Sequence, residues 1–96
     1  MNNQNEIKIK LKSLKPVLSD RFSVKRIGYF GSYSRDEQTE KSDIDILVEF
    51  RRPIGWEFFD LQEFLENELK IKVDLVSSLA LKEQLREAIL KQVKYV

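Results

Sequence analysis

The stretch from Ser42 to Phe50, SDIDILVEF, has the apolar content of a buried strand but carries two carboxylates at its start. Side chains on a strand alternate between faces, so Asp43 and Asp45 share one face while Ile44, Ile46 and Val48 share the other. Burying one ionised carboxylate is costly, and burying two side by side is worse, unless positive charge lies nearby. A chain containing this segment is therefore held to a sheet with one dry face and one face on which charge is used.

Two absences narrow what that use can be. The 96 residues include no cysteine, which rules out disulfides, thiolate catalysis and thiolate metal sites, and no histidine, the commonest general base and zinc ligand. Acid–base or metal chemistry must run on carboxylates, whose oxygens favour hard cations such as Mg²⁺ or Mn²⁺. With 17 Lys and Arg against 16 Asp and Glu, the net charge of +1 argues against a dedicated duplex-DNA binder but not against binding one nucleotide. The polar start, Met1 to Glu6, does not read as a signal peptide, and no apolar run is as long as a membrane span. The expectation is a soluble, cytoplasmic, single domain over residues 1–96.

Periodicity supplies the elements. Residues 4 to 20 read as a helix, with Ile7, Leu11, Leu14 and Leu18 three and four apart and Lys8, Lys10, Lys12 and Lys15 mostly on its solvated faces. Pro16 predicts a kink in that helix or its division in two. A strand over 25–30 ends at Gly31, residues 32–35 form one helical turn, and 36–42 make a polar loop. The second strand runs over 43–50, and Pro53 and Gly55 mark a turn. Phe58, Leu61, Leu65 and Leu69, with Phe64 beside them, trace a second helix, and 71–76 reads as a third strand. Ser77 or Ser78 caps a last helix bearing Leu81, Leu85 and Ile89. The order predicts an α+β fold, a small mixed sheet with helices packed mainly on one face.

The third strand holds one acid, Asp74, between the apolar Val73 and Leu75. If the second and third strands are neighbours, Asp43, Asp45 and Asp74 converge on one sheet face, where a divalent cation would relieve their repulsion. In YFGSYSR, Gly31 and Ser32 sit where a strand runs into a helical turn. Glycine permits close backbone approach to a ligand, and the free N–H groups there suit an anion. Ser32 adds a hydroxyl, and Arg35 lies one turn on. An isolated Asp-x-Asp is most often a surface coincidence, and an isolated Gly-Ser a simple capped turn. Together they describe a phosphate cradle facing a metal site.

Gly31-Ser32, a polar spacer and then Asp43-Ile44-Asp45 in a hydrophobic strand resemble the DNA polymerase β-like nucleotidyltransferase superfamily, and within it the minimal nucleotidyltransferases (MNT). The likeness runs from about residue 8 to Val96 and includes VKRIGYFGSYSR, SDIDILVEF, KVDLV and LREAILKQVKYV. It implies a nucleotidyltransferase fold that uses ATP and Mg²⁺. Asp43 and Asp45 would be metal ligands, and Asp74 would complete the metal site and help deprotonate the attacking hydroxyl. Gly31 and Ser32 would hold the triphosphate, with Arg35 assisting. The resemblance further implies an antitoxin partnered with a HEPN-domain toxin and, in some relatives, transfer of AMP to a tyrosine of that toxin. Ser34 and Asp36 depart from the family, where Ala and Gly are common at those positions. A chain this short has no room for template-gripping domains.

The competing expectation is a non-catalytic antitoxin that neutralises its partner by complex formation. Trp56, Phe58 and Phe59 read either as core or as anchors of such an interface. Retention of all three aspartates favours the enzyme. Self-association is left open by the sequence. Glycosyltransferases with this triplet need far longer chains, and haloacid-dehalogenase-type phosphatases place their aspartates at a strand's end, whereas Asp43 stands at the start of one.

Overall fold

Where the sequence alternates or repeats, the chain folds accordingly. The computed structural model describes residues 3–39 and 41–96. Its helices are α1 (Gln4–Phe22), α2 (Glu57–Leu69) and α3 (Glu83–Gln92), and its strands are β1 (Val24–Phe30), β2 (Ile44–Phe50), β3 (Val73–Ser77) and β4 (Lys94–Tyr95). Single 3-10 turns follow β1 at Gly31–Tyr33 and β3 at Ser78–Ala80. The sheet order is β3-β2-β1-β4; β2 and β3 run parallel, and β1 is antiparallel to both its neighbours. This is the mixed α+β architecture that the order of elements implies.

One face of the sheet is dry. The α1 stripe of Ile7, Leu11, Leu14, Leu18 and Phe22 and the α2 stripe of Leu61, Leu65 and Leu69 pack on Ile27, Tyr29, Ile44, Ile46, Val48, Val73 and Leu75. Each fully buried Leu or Ile contributes about 1.5–3 kcal/mol. Asn3 begins α1 by accepting the Glu6 N–H at 2.8 Å and donating to the Glu6 carboxylate. Pro16 does not divide α1, which runs unbroken past it. The proline is exposed, on a side where water can take over the lost backbone hydrogen bond.

The C-terminal third departs from expectation. Ser77 does not cap the long helix; its hydroxyl accepts the Leu79 N–H, and Leu81 is extended, so α3 begins only at Glu83. No residue of α3 is buried, and Leu85 is 55% exposed. The short β4, not expected from the sequence, lies against β1 because Gly28 leaves room: a Cβ there would come within 2.7 Å of the Lys94 carbonyl oxygen and 2.9 Å of Val93 Cγ2. Val96 N–H then donates to the Ile27 carbonyl at 3.0 Å. The aromatic cluster splits, Phe58 packing against the core while Trp56 and Phe59 are 84% and 58% exposed.

At the other edge, two α2 side chains bond to β3. Gln62 Nε2 donates to the Val73 carbonyl at 3.1 Å, and Glu66 Oε2 accepts the Val73 N–H at 3.0 Å. No helix among the described residues is long and apolar enough to cross a membrane.

Candidate active site

Strand alternation and register bring two of the three aspartates together. Ile44 and Ile46 are in the core, so Asp45 between them faces the side of the sheet away from α1 and α2, and Val73 and Leu75 place Asp74 in the same way. In the parallel β2–β3 pairing Asp45 is the direct partner of Asp74. Asp43, exposed, lies one residue before β2.

The electrostatics of the pair follow from this placement. The Asp45 carboxyl is pushed up to about 6, first by its burial, then by the charge of Asp74, a hydrogen bond with Asp74 and the charge of Asp43; Arg35 pulls in the opposite direction. Both other aspartates therefore act on Asp45, although among the described residues no three or more carboxylates close into a ready-made ligand cluster.

The turn after β1 completes the setting. Phe30 pairs with Asp45, so Gly31 emerges beside the Asp45 carboxylate. Its φ is +73°, and a Cβ at Gly31 would collide with Asp45 Oδ2. The left-handed backbone favours glycine, and any side chain would have to displace the Asp45 carboxylate. The Gly31 carbonyl gathers the turn, accepting the N–H groups of Ser34 and Arg35 at 3.1 and 3.2 Å and the Ser34 hydroxyl at 2.9 Å. Ser32 is half-buried in that turn, and its carbonyl accepts the Glu37 N–H at 2.8 Å.

The two departures from the family pattern now have physical readings. Ser34 is buried, and its hydroxyl is satisfied within the turn. Asp36 has φ of +58°, the left-handed region that suits glycine. Arg35 is held by two acceptors, Gln92 Oε1 at 2.8 Å from Nη1 and Glu37 Oε1 at Nε. Neither Gln92 nor Glu37 stands out in the sequence. Glu37 lies in a stretch that reads as plain loop, and Gln92 is 57 residues from Arg35, with no local pattern joining the two.

The donor set suits a hard divalent cation. Its oxygens are carboxylates, and the raised proton affinity of Asp45 reflects, in part, repulsion that a cation among Asp43, Asp45 and Asp74 would remove. With Gly31 and Ser32 beside them, these residues can serve phosphate chemistry.

Comparison with known proteins agrees with this fold. The nucleotidyltransferase domain family matches residues 11–96. The chain is 52% identical over 83 residues to a candidate protein adenylyltransferase of Methanocaldococcus jannaschii, covering 85% of each. It is 45% identical over 92 residues to protein adenylyltransferase MntA of Thermococcus cleftensis, covering 95% of this chain and 93% of that one. Among solved structures, a candidate minimal nucleotidyltransferase is similar with a TM-score of 0.83 at 29% identity, covering 96% of this chain and 94% of that one. A toxin–antitoxin complex with AMP-PNP gives a TM-score of 0.73 at 29% identity, covering 90% and 70%. A complex of tri-AMPylated Shewanella oneidensis HEPN toxin with MNT antitoxin gives 0.70 at 26% identity, covering 96% and 70%.

Proposed function

The chain belongs to the nucleotidyltransferase domain family, in its minimal form, and on that premise we propose that it transfers AMP from ATP to a hydroxyl of a partner protein. The partner is a HEPN toxin, the acceptor one of its tyrosines, and the outcome neutralisation of the toxin. The observation that carries this reading is the pairing of Asp45 with Asp74 beside a left-handed Gly31 turn, where a side chain would meet the Asp45 carboxylate. Similarity to named protein adenylyltransferases and to a complex containing an AMPylated HEPN toxin supports the acceptor class.

In the reaction the acceptor oxygen bonds to the α-phosphorus of ATP, the bond from that phosphorus to the β-phosphate bridging oxygen breaks, and pyrophosphate leaves with the electron pair. Asp43, Asp45 and Asp74 would hold Mg²⁺, whose charge stabilises the leaving pyrophosphate. Asp74, opposite Asp45 on the neighbouring strand, takes the acceptor proton. Gly31 and Ser32 bind the triphosphate at the turn, and Arg35 supplies the neighbouring positive charge.

The test is incubation of the chain with ATP, Mg²⁺ and its HEPN partner, then mass spectrometry of partner tyrosines for adenylyl groups. The absence of both an adduct and ATP turnover would overturn the proposal. A second reading, neutralisation by occlusion alone, is favoured by the exposure of Trp56 and Phe59, at 84% and 58%. Asp43→Asn with Asp45→Asn separates the two, since full neutralisation by that variant would assign the effect to binding.

A further inference from the structure

Arg35 leaves the phosphate turn and is met by the end of α3. Gln92 Oε1 accepts from Nη1 at 2.8 Å, while Glu37 Oε1 accepts from Nε. A guanidinium offers five N–H donors in one rigid plane, so both bonds fix its orientation and leave donors on Nη1 and Nη2 for a further anion. The Gln92 amide is neutral and orients the guanidinium without adding to the Glu37 carboxylate that already pairs with its charge.

Packing of α3 does not set the position of Gln92, because none of that helix is buried. The anchor is instead the segment after the helix. Val93 N–H closes on the Ile89 carbonyl at 2.9 Å, Lys94 and Tyr95 pair with Tyr29 and Gly28, and Val96 N–H reaches the Ile27 carbonyl at 3.0 Å. The C-terminal segment is thus fastened along β1, the strand that runs directly into Gly31. One strand carries both the phosphate turn at its end and, along its edge, the anchor of Gln92.

We propose that Gln92 is a positioning residue for nucleotidyl transfer, fixing the Arg35 guanidinium at the turn after β1 so that the triphosphate meets it already oriented. The inference rests on the nucleotidyltransferase reading of the same site and extends it to a residue from the far end of the fold. Holding a long side chain in place before binding lowers the ordering cost when the ligand arrives. The consequence belongs to ATP binding rather than to proton transfer, since the bond from Gln92 goes to Arg35 and to neither acid of the pair.

Gln92→Met tests this, because methionine keeps the length and helix propensity of glutamine and lacks the acceptor. Binding of a non-hydrolysable ATP analogue with Mg²⁺ is measured by calorimetry in four proteins: wild type, Gln92→Met, Arg35→Ala and the double variant. The expected result is affinity weakened roughly fivefold by Gln92→Met. In the Arg35→Ala background the same change should add nothing, and the thermal midpoints of wild type and Gln92→Met should coincide. Undiminished affinity in Gln92→Met, or an equal loss with and without Arg35, would overturn the positioning role while leaving the nucleotidyltransferase reading intact. Failure of the wild type itself to bind the analogue would instead overturn that reading and this inference with it.

Discussion

Asp45 and Asp74 stand directly opposite each other in the parallel β2–β3 ladder, and the charge of Asp74 bears on the Asp45 carboxyl. Burial and the facing charge raise the proton affinity of Asp45, and the chain carries this unfavourable contact through its folded state.

The first expected outcome concerns stability against pH. The Asp45 carboxyl is raised to about 6 in the folded chain, so the native state binds this proton more tightly than the unfolded state does. For this group stability is highest below about pH 4, falls as pH rises toward the folded value, and remains lowered above it. Asp45→Asn should therefore stabilise the metal-free chain at pH 8 by about 1 kcal/mol after discounting for partial exposure, seen as a higher thermal midpoint, and change little at pH 4. Added Mg²⁺ should raise the midpoint of the wild type more than that of the variant. Equal midpoints at pH 8 would show that the acid pair costs nothing.

Gly31→Ala should abolish AMP transfer and destabilise the chain by about 1–3 kcal/mol, because the new methyl meets the Asp45 carboxylate and the backbone is left-handed. Urea unfolding and an AMP-transfer assay measure the two effects. A stable, active Gly31→Ala chain would mean that the turn and the Asp45 carboxylate do not touch in solution.

At Asp36 the sign reverses. The residue is left-handed at φ +58°, a region glycine adopts without strain, so Asp36→Gly should gain about 1 kcal/mol in urea unfolding. A loss would mean that the aspartate side chain stabilises the loop by more than its backbone conformation costs.

Leu61 and Trp56 should behave oppositely although both are large and apolar. Leu61 is 0% exposed, and Leu61→Ala should cost about 3 kcal/mol. Trp56 is 84% exposed, so Trp56→Ala should stay within about 0.5 kcal/mol of wild type. A large loss at Trp56 would place it in the core after all.

How much of the fold is legible in the sequence depends on the range of each signal. The stripe Ile7, Leu11, Leu14 and Leu18 and the alternation of Ile44, Asp45 and Ile46 each lie within a few residues, so the core and the face carrying Asp45 can be read locally. Asp74 is equally legible, because an acid between Val73 and Leu75 has one face open to it. The strand Lys94–Tyr95 is not, since two residues show no period and their pairing depends on the absence of a side chain at Gly28, far away in sequence. The start of α3 is obscured because Ser77 satisfies a local N–H at Leu79 and spends its capping capacity on a 3-10 turn. The Arg35–Gln92 bond joins two ordinary polar residues across 57 positions and leaves no trace in either neighbourhood.

The bonds that Gln62 and Glu66 make to Val73 have a consequence for association. A bare outer strand is an invitation to any passing extended segment, and this one carries Asp74 on the next residue. With the backbone of Val73 already engaged by its own helix, a foreign strand cannot zip into register from that end. The sheet thereby resists growing into a neighbour beside Asp74, and the open face that carries this acid stays reachable.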